Sequence, residues 1–120
     1  MVLIWHPNCS TCKKAKQWLD ARGVACTLRD IRTENPTVEE LRDFWNRSGL
    51  PLKRFFNTSG QLYRSMELGA RLPQMSEEEQ LELLSTDGML VRRPLLVGAR
   101  GVCVGFREAE WQSLLEQEAP

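Results

Sequence analysis

The sequence predicts an α/β fold, on three observations. A short apolar run, Val2-Leu3-Ile4-Trp5, leads directly into a thiol pair, Cys9 and Cys12, and then into residues with helical spacing. A second strand-like run, Val24 to Ile31, follows that helix, and a crossover of this length requires the two strands to be parallel. Late in the chain two further runs, Met89 to Val97 and Gly101 to Phe106, flank Gly98-Ala99-Arg100-Gly101, a spacing that predicts an antiparallel hairpin.

Val2 to His6 suits a buried strand, and Ser10 to Arg22 carries Ala15, Trp18, Leu19 and Arg22 on one helical face before Gly23 ends the helix. Thr37-Val38-Glu39-Glu40 is a capping box that opens a helix bearing Val38, Leu41, Phe44 and Trp45; Gly49 closes it, with Pro51 behind. Ser76 to Glu79 is a second capping box, with Leu81 and Leu84 inward on the helix it opens. Between these, Arg54-Phe55-Phe56-Asn57-Thr58-Ser59-Gly60 is rich in turn formers and a short helix is expected around Gln61 to Leu68, so residues of about 50–86 form a helical insertion. A last helix is expected from about Arg107 to Glu118, with Trp111, Leu114 and Leu115 on one face. With no repeat, low-complexity tract or linker, residues 1–120 read as a single domain. The element order is that of a thioredoxin-like fold, a mixed four-stranded sheet flanked by helices.

Composition narrows the function. The balance of 16 Lys plus Arg against 16 Asp plus Glu leaves no net charge, which argues against direct nucleic-acid binding. The N-terminal apolar run is far shorter than the ~20 residues of a spanning helix, and no signal pattern precedes it, so a cytoplasmic protein without membrane association is expected. In that compartment the four cysteines are expected to be thiols, with Cys26 and Cys103 inert in apolar runs.

Cys9 and Cys12 carry the chemistry. A helix N-terminus presents unsatisfied N–H groups and roughly half a positive charge, so a thiol there is stabilised as the nucleophilic thiolate. Cys9 takes that place, and Cys12, one turn on, can close a small disulfide with it. Zinc sites use the same spacing, and His6, Cys26 and Cys103 could complete one. No second ligand pair stands at regular spacing, and the strand-to-helix context favours redox chemistry, so no metal is expected. Lys13, four residues after Cys9, is a candidate to bring an ammonium near the thiolate; Lys14 reads as a solvated lysine, and His6 is a weaker candidate for a base. Arg93 offers a planar fork to an oxyanion or carboxylate, and Arg107 could add another. Pro94 opens a strand that would face the Cys9 loop, and only X–Pro bonds adopt the cis form cheaply.

Asn8-Cys9-Ser10-Thr11-Cys12-Lys13-Lys14-Ala15, Phe55-Phe56-Asn57-Thr58-Ser59-Gly60, Arg92-Arg93-Pro94-Leu95-Leu96-Val97 and Gly105-Phe106 together resemble the glutaredoxin-type arsenate reductase and Spx family over essentially the whole chain. The resemblance implies the thioredoxin-like fold with a helical insertion, and it carries the cis form at Pro94. In those arsenate reductases one cysteine, at the position of Cys9, attacks arsenate while three arginines hold the oxyanion. Arg93 and, with a one-residue shift in alignment, Arg107 match two of the three, and Asn57 falls on the third. A charged hydrogen bond is worth ~1 kcal/mol more than a neutral one, so the amide implies weak arsenate turnover. Spx-type regulators carry a CxxC and bind the RNA polymerase alpha subunit. Two functions follow as expectations. One is a thiol-disulfide oxidoreductase in which Cys9 attacks, Cys12 resolves, and Arg93, Arg107, Asn57 and Lys13 bind an anionic or glutathione-linked substrate. It would hold no resident cofactor, with glutathione as co-substrate and glutaredoxin or thioredoxin as electron donor. The other is a redox sensor acting on RNA polymerase alpha.

Overall fold

Leu3 and Ile4, the central residues of β1 (Val2–Trp5), are both fully buried, because β1 has a strand on each side and helices over each face. The computed structural model describes residues 1–118; Ala119 and Pro120, the end of the expected domain, lie outside the described residues. The sheet runs in the order β2-β1-β3-β4, with β2 (Thr27–Asp30) parallel to β1, and β3 (Leu95–Val97) and β4 (Val102–Val104) antiparallel to their neighbours. This is the mixed four-stranded sheet expected of a thioredoxin-like fold.

Alternation along each strand divides the core in two. Leu3 pairs with Leu96 and Leu96 with Cys103, a row covered by Ala15, Trp18 and Leu19 of α1 (Ser10–Ala21) and by Trp111 and Leu114 of α6 (Glu108–Glu118). Ile4 pairs with Leu95 and Leu95 with Val104, a row on the other face that joins Leu41 and Phe44 of α2 (Val38–Ser48) and Leu81 and Leu84 of α5 (Glu77–Thr86). Both expected capping boxes form, Thr37 with Glu40 and Ser76 with Glu79.

Three strands are shorter than their apolar runs. Val24 to Ile31 gives only Thr27–Asp30, because β2 pairs on one side with the four residues of β1, and the Val24 N–H donates instead to Leu19. Met89 to Val97 gives only Leu95–Val97: Gly88–Leu90 is a 3₁₀ turn capped by the Asp87 carboxylate, and Pro94 brings no N–H to a ladder. Gly101 to Phe106 gives Val102–Val104, stopped where Gly105 turns left-handed at φ 74°.

The insertion is helical but broken into pieces: a 3₁₀ turn at Leu52–Phe55, α3 (Gln61–Ser65), α4 (Leu68–Arg71), a 3₁₀ turn at Leu72–Gln74, then α5. The single helix expected around Gln61 to Leu68 divides at Glu67, whose backbone is left-handed at φ 54°. Between Leu52–Phe55 and β3 runs a short seam: Phe56 bridges Val91, the Asn57 N–H donates to Leu90 at 2.8 Å, and the Arg92 N–H donates to Phe55 at 2.8 Å. That seam sets residues 54–57 beside Arg92 and Arg93.

Candidate functional site

Cys9 is the N-cap of α1, with extended backbone (φ −89°, ψ 126°), its N–H donating to His6 at 3.0 Å and its carbonyl accepting from Lys13 at 3.0 Å. It is half-buried, whereas Cys12 is fully buried and accepts the His6 N–H at 3.5 Å. Burial works against ionising Cys9. The N–H of Cys12, the Cys12 thiol, the N–H of Thr11 and the Arg93 charge together outweigh it and hold the thiol below its ordinary value. Burial, opposed by the His6 N–H and reinforced by the neighbouring Cys9 sulfur, pushes Cys12 up to about 12. The two thiols are thus set apart, one toward thiolate and one toward thiol. Burial raises the Cys26 thiol and, with Glu110 adding to it, pushes Cys103 up to about 11.

Cys9 opens into a cavity of about 290 Å³ whose wall includes Arg54, Asn57, Arg92, Arg93 and Arg107 and no carboxylate. The guanidinium groups are under-used. Arg93 makes one long hydrogen bond to the Val91 carbonyl at 3.4 Å and Arg92 one to the Thr58 hydroxyl at 3.4 Å, and the Nε of each is buried without a partner. Arg107, more exposed, reaches Glu110 at 3.8 Å. A buried donor left unpaired costs about 1–3 kcal/mol, and a wall of four guanidinium groups without a carboxylate favours an anion in the cavity. The arrangement can place an anion against a thiolate.

Of the residues singled out from sequence, Cys9, Asn57, Arg93 and Arg107 meet in this cavity, Cys12 lies buried behind Cys9, and the Arg93–Pro94 bond is cis. Asn57 turns its amide toward Met89 at 3.5 Å and packs against Gly60. Lys13 is exposed and lies outside the wall. His6 acts through its backbone, holding both cysteines, and its ring nitrogen accepts from the Asn8 N–H at 3.1 Å. Burial and the charges of Arg32 and Arg93 lower its pKa despite Asp30 nearby. Among the described residues no group of three or more His, Cys, Asp or Glu could hold a metal ion. No helix of the described residues is long and apolar enough to cross a membrane.

Sequence reasoning missed Arg54 and Arg92. The arginine doublet before Pro94 was the available signal for Arg92. Nothing local marked Arg54, since the seam that brings it to the cavity joins residues far apart in the chain.

The sequence and fold have counterparts among known proteins. The uncharacterized protein YusI of Bacillus subtilis is 46% identical over 93% of this chain and 95% of its own length. The crystal structure of an ArsC family related protein from Bacteroides fragilis superposes with a TM-score of 0.92 at 51% identity, covering 94% of this chain and 95% of that one. A possible arsenate reductase from Streptococcus mutans follows at a TM-score of 0.86 and 41% identity, with 94% and 95% covered. More distant is the global transcriptional regulator Spx of Enterococcus faecalis, 25% identical over 98% of this chain and 88% of its own. The family model for ArsC matches residues 4–114. A match that begins within β1 and ends within α6 takes in every element between them, and the chain belongs to the ArsC family.

Proposed function

We propose that the protein is a cytoplasmic thiol-disulfide oxidoreductase for small anionic or glutathione-linked substrates, with Cys9 as nucleophile and Cys12 as resolving thiol. One observation carries this reading: of the four thiols only Cys9 is held below its ordinary pKa, and it is the one that opens into the arginine-lined cavity. The Cys9 thiolate attacks the substrate sulfur, a Cys9–sulfur bond forms, and the other sulfur leaves as thiolate with the electron pair of the broken bond. The Cys9 charge, one of the causes that keep Cys12 protonated, is then gone. Cys12 passes its proton to the thiolate released in the first attack, and its sulfur bonds to the Cys9 sulfur. The bond from Cys9 to the substrate sulfur breaks with its electron pair leaving on the second thiolate, so that a Cys9–Cys12 disulfide remains for glutathione, glutaredoxin or thioredoxin to reduce. Trapping with iodoacetamide at neutral pH tests the assignment: Cys9 is modified at least tenfold faster than Cys12, and equal rates exclude it.

Arsenate stands as a special case of the same chemistry. Asn57 supports low turnover with glutathione and glutaredoxin; robust turnover abolished by Cys9→Ser would reverse that part of the reading. The thiol pair and the Spx relative favour a second reading, a redox sensor acting on the RNA polymerase alpha subunit. A pull-down on the alpha C-terminal domain, with the pair reduced and oxidised, decides it, and no capture in either state removes it.

A further inference from the structure

Arg92 and Arg93 are adjacent in the chain, and their side chains part company. Arg93 turns toward the thiols and also lines a second, adjoining cavity with Asn57, Leu62 and Met89, where Arg92 takes no part. Arg92 lies over Gly105, whose added Cβ would be 3.4 Å from the Arg92 Cδ, and points to Thr58. Burial, followed by the charges of Arg54 and Arg107, depresses its pKa, so three cations crowd this side of the cavity while Arg93 attends the sulfur atoms. No carboxylate forms an ion pair with Arg54 or Arg92 among the described residues. Like charges pressed together in a partly buried wall are unfavourable unless a counter-charge joins them.

We propose that Arg54 and Arg92 form a second anion subsite, distinct from the Arg93 guanidinium beside the thiols, so that preferred substrates carry a negative group set apart from the atom that Cys9 attacks. This deepens the oxidoreductase reading and rests on it. The substrate class is a disulfide or thiol adduct bearing a carboxylate or similar anion away from its sulfur, rather than a bare compact oxyanion.

Two aromatic disulfides test it by stopped-flow: dithiobis(nitrobenzoate), with a carboxylate on each ring, and uncharged dithiodipyridine. With each, Cys9 bonds to one sulfur, the S–S bond breaks, and the other half leaves as thiolate, so Cys9 is oxidised and the reagent reduced. The fast phase is identified by its loss in Cys9→Ser. The ratio of the charged to the neutral reagent's rate is expected to fall about fivefold in Arg54→Gln and again in Arg92→Gln, the scale of one charge contact near a wet surface. Arg92→Lys restores part of it. A ratio unchanged in both glutamine variants overturns the subsite, because arginines that only promote the thiolate slow both reagents alike. A wild-type chain with no Cys9-dependent phase toward dithiodipyridine overturns the oxidoreductase reading itself, and the subsite with it. Since Arg92 is partly buried, the ratio in Arg54→Gln alone decides the matter should Arg92→Gln fail to fold.

Discussion

Cys9 and Cys12 share one turn of backbone and respond to opposite environments. Cys9 meets N–H groups and the Arg93 charge, and Cys12 meets the apolar core, so solvent-borne electrophiles reach the ionised sulfur first. The depressed pKa fixes the direction of the pH dependence. Thiolate persists at lower pH than for an ordinary thiol of 9.0, and the alkylation rate of Cys9 declines only as pH falls through the lowered value. Arg93→Gln moves the midpoint of that profile upward, measured with iodoacetamide so that the reagent carries no charge. An unmoved midpoint would assign the depression to the backbone N–H groups and the Cys12 thiol. Cys12→Ser leaves the first attack intact and stops the second, so the mixed disulfide accumulates by mass spectrometry in place of the intramolecular one.

Glu40 ties two elements together. Its carboxylate accepts the Thr37 N–H at 3.0 Å to complete the capping box of α2, and it takes both ends of the Arg29 guanidinium from β2 at 2.6 and 2.9 Å. The Arg29 hydrogen bonds, working against partial burial, hold its pKa at about 2 against an ordinary 4.5. A depressed carboxyl contributes stability above its unfolded value and loses it as pH drops, here between about 4.5 and about 2. Glutamine can still fill the capping position, so Glu40→Gln isolates the ion pair: about 0.5–1 kcal/mol lost at neutral pH and a flatter decline in urea midpoint on the acid side. Identical acid-side slopes would show the pair to be inert. Elements of this kind were legible in the sequence because capping boxes and helical spacing are local. The strand ends were not, since β2 stops where β1 runs out and β3 begins only after Pro94. At the site, Cys9, Cys12 and Arg93 are legible by motif, while Arg54 arrives across the Phe56–Val91 seam and Lys13 stands outside the cavity wall.

At the scale of the molecule, the insertion returns to the sheet through one tight joint. A Cβ at Gly88 would stand 1.9 Å from the Ile31 carbonyl oxygen, a backbone atom that no rotamer change can move, and Ile31 is itself fully buried. Gly88→Ala is expected to cost about 3 kcal/mol in urea unfolding, and a loss below about 1 kcal/mol would mean the joint is pliable. Across the same end of the sheet, beyond the β4 edge, three rings meet. Phe106, in the cavity wall, stands edge-on to Trp111 at 4.9 Å and to Trp18 at 5.9 Å, and the Trp111 indole donates to the Gly105 carbonyl at 2.8 Å. Whatever fills the cavity therefore touches an aromatic stack that ends in two indoles, and the chain's own ultraviolet emission becomes an unlabelled gauge of occupancy.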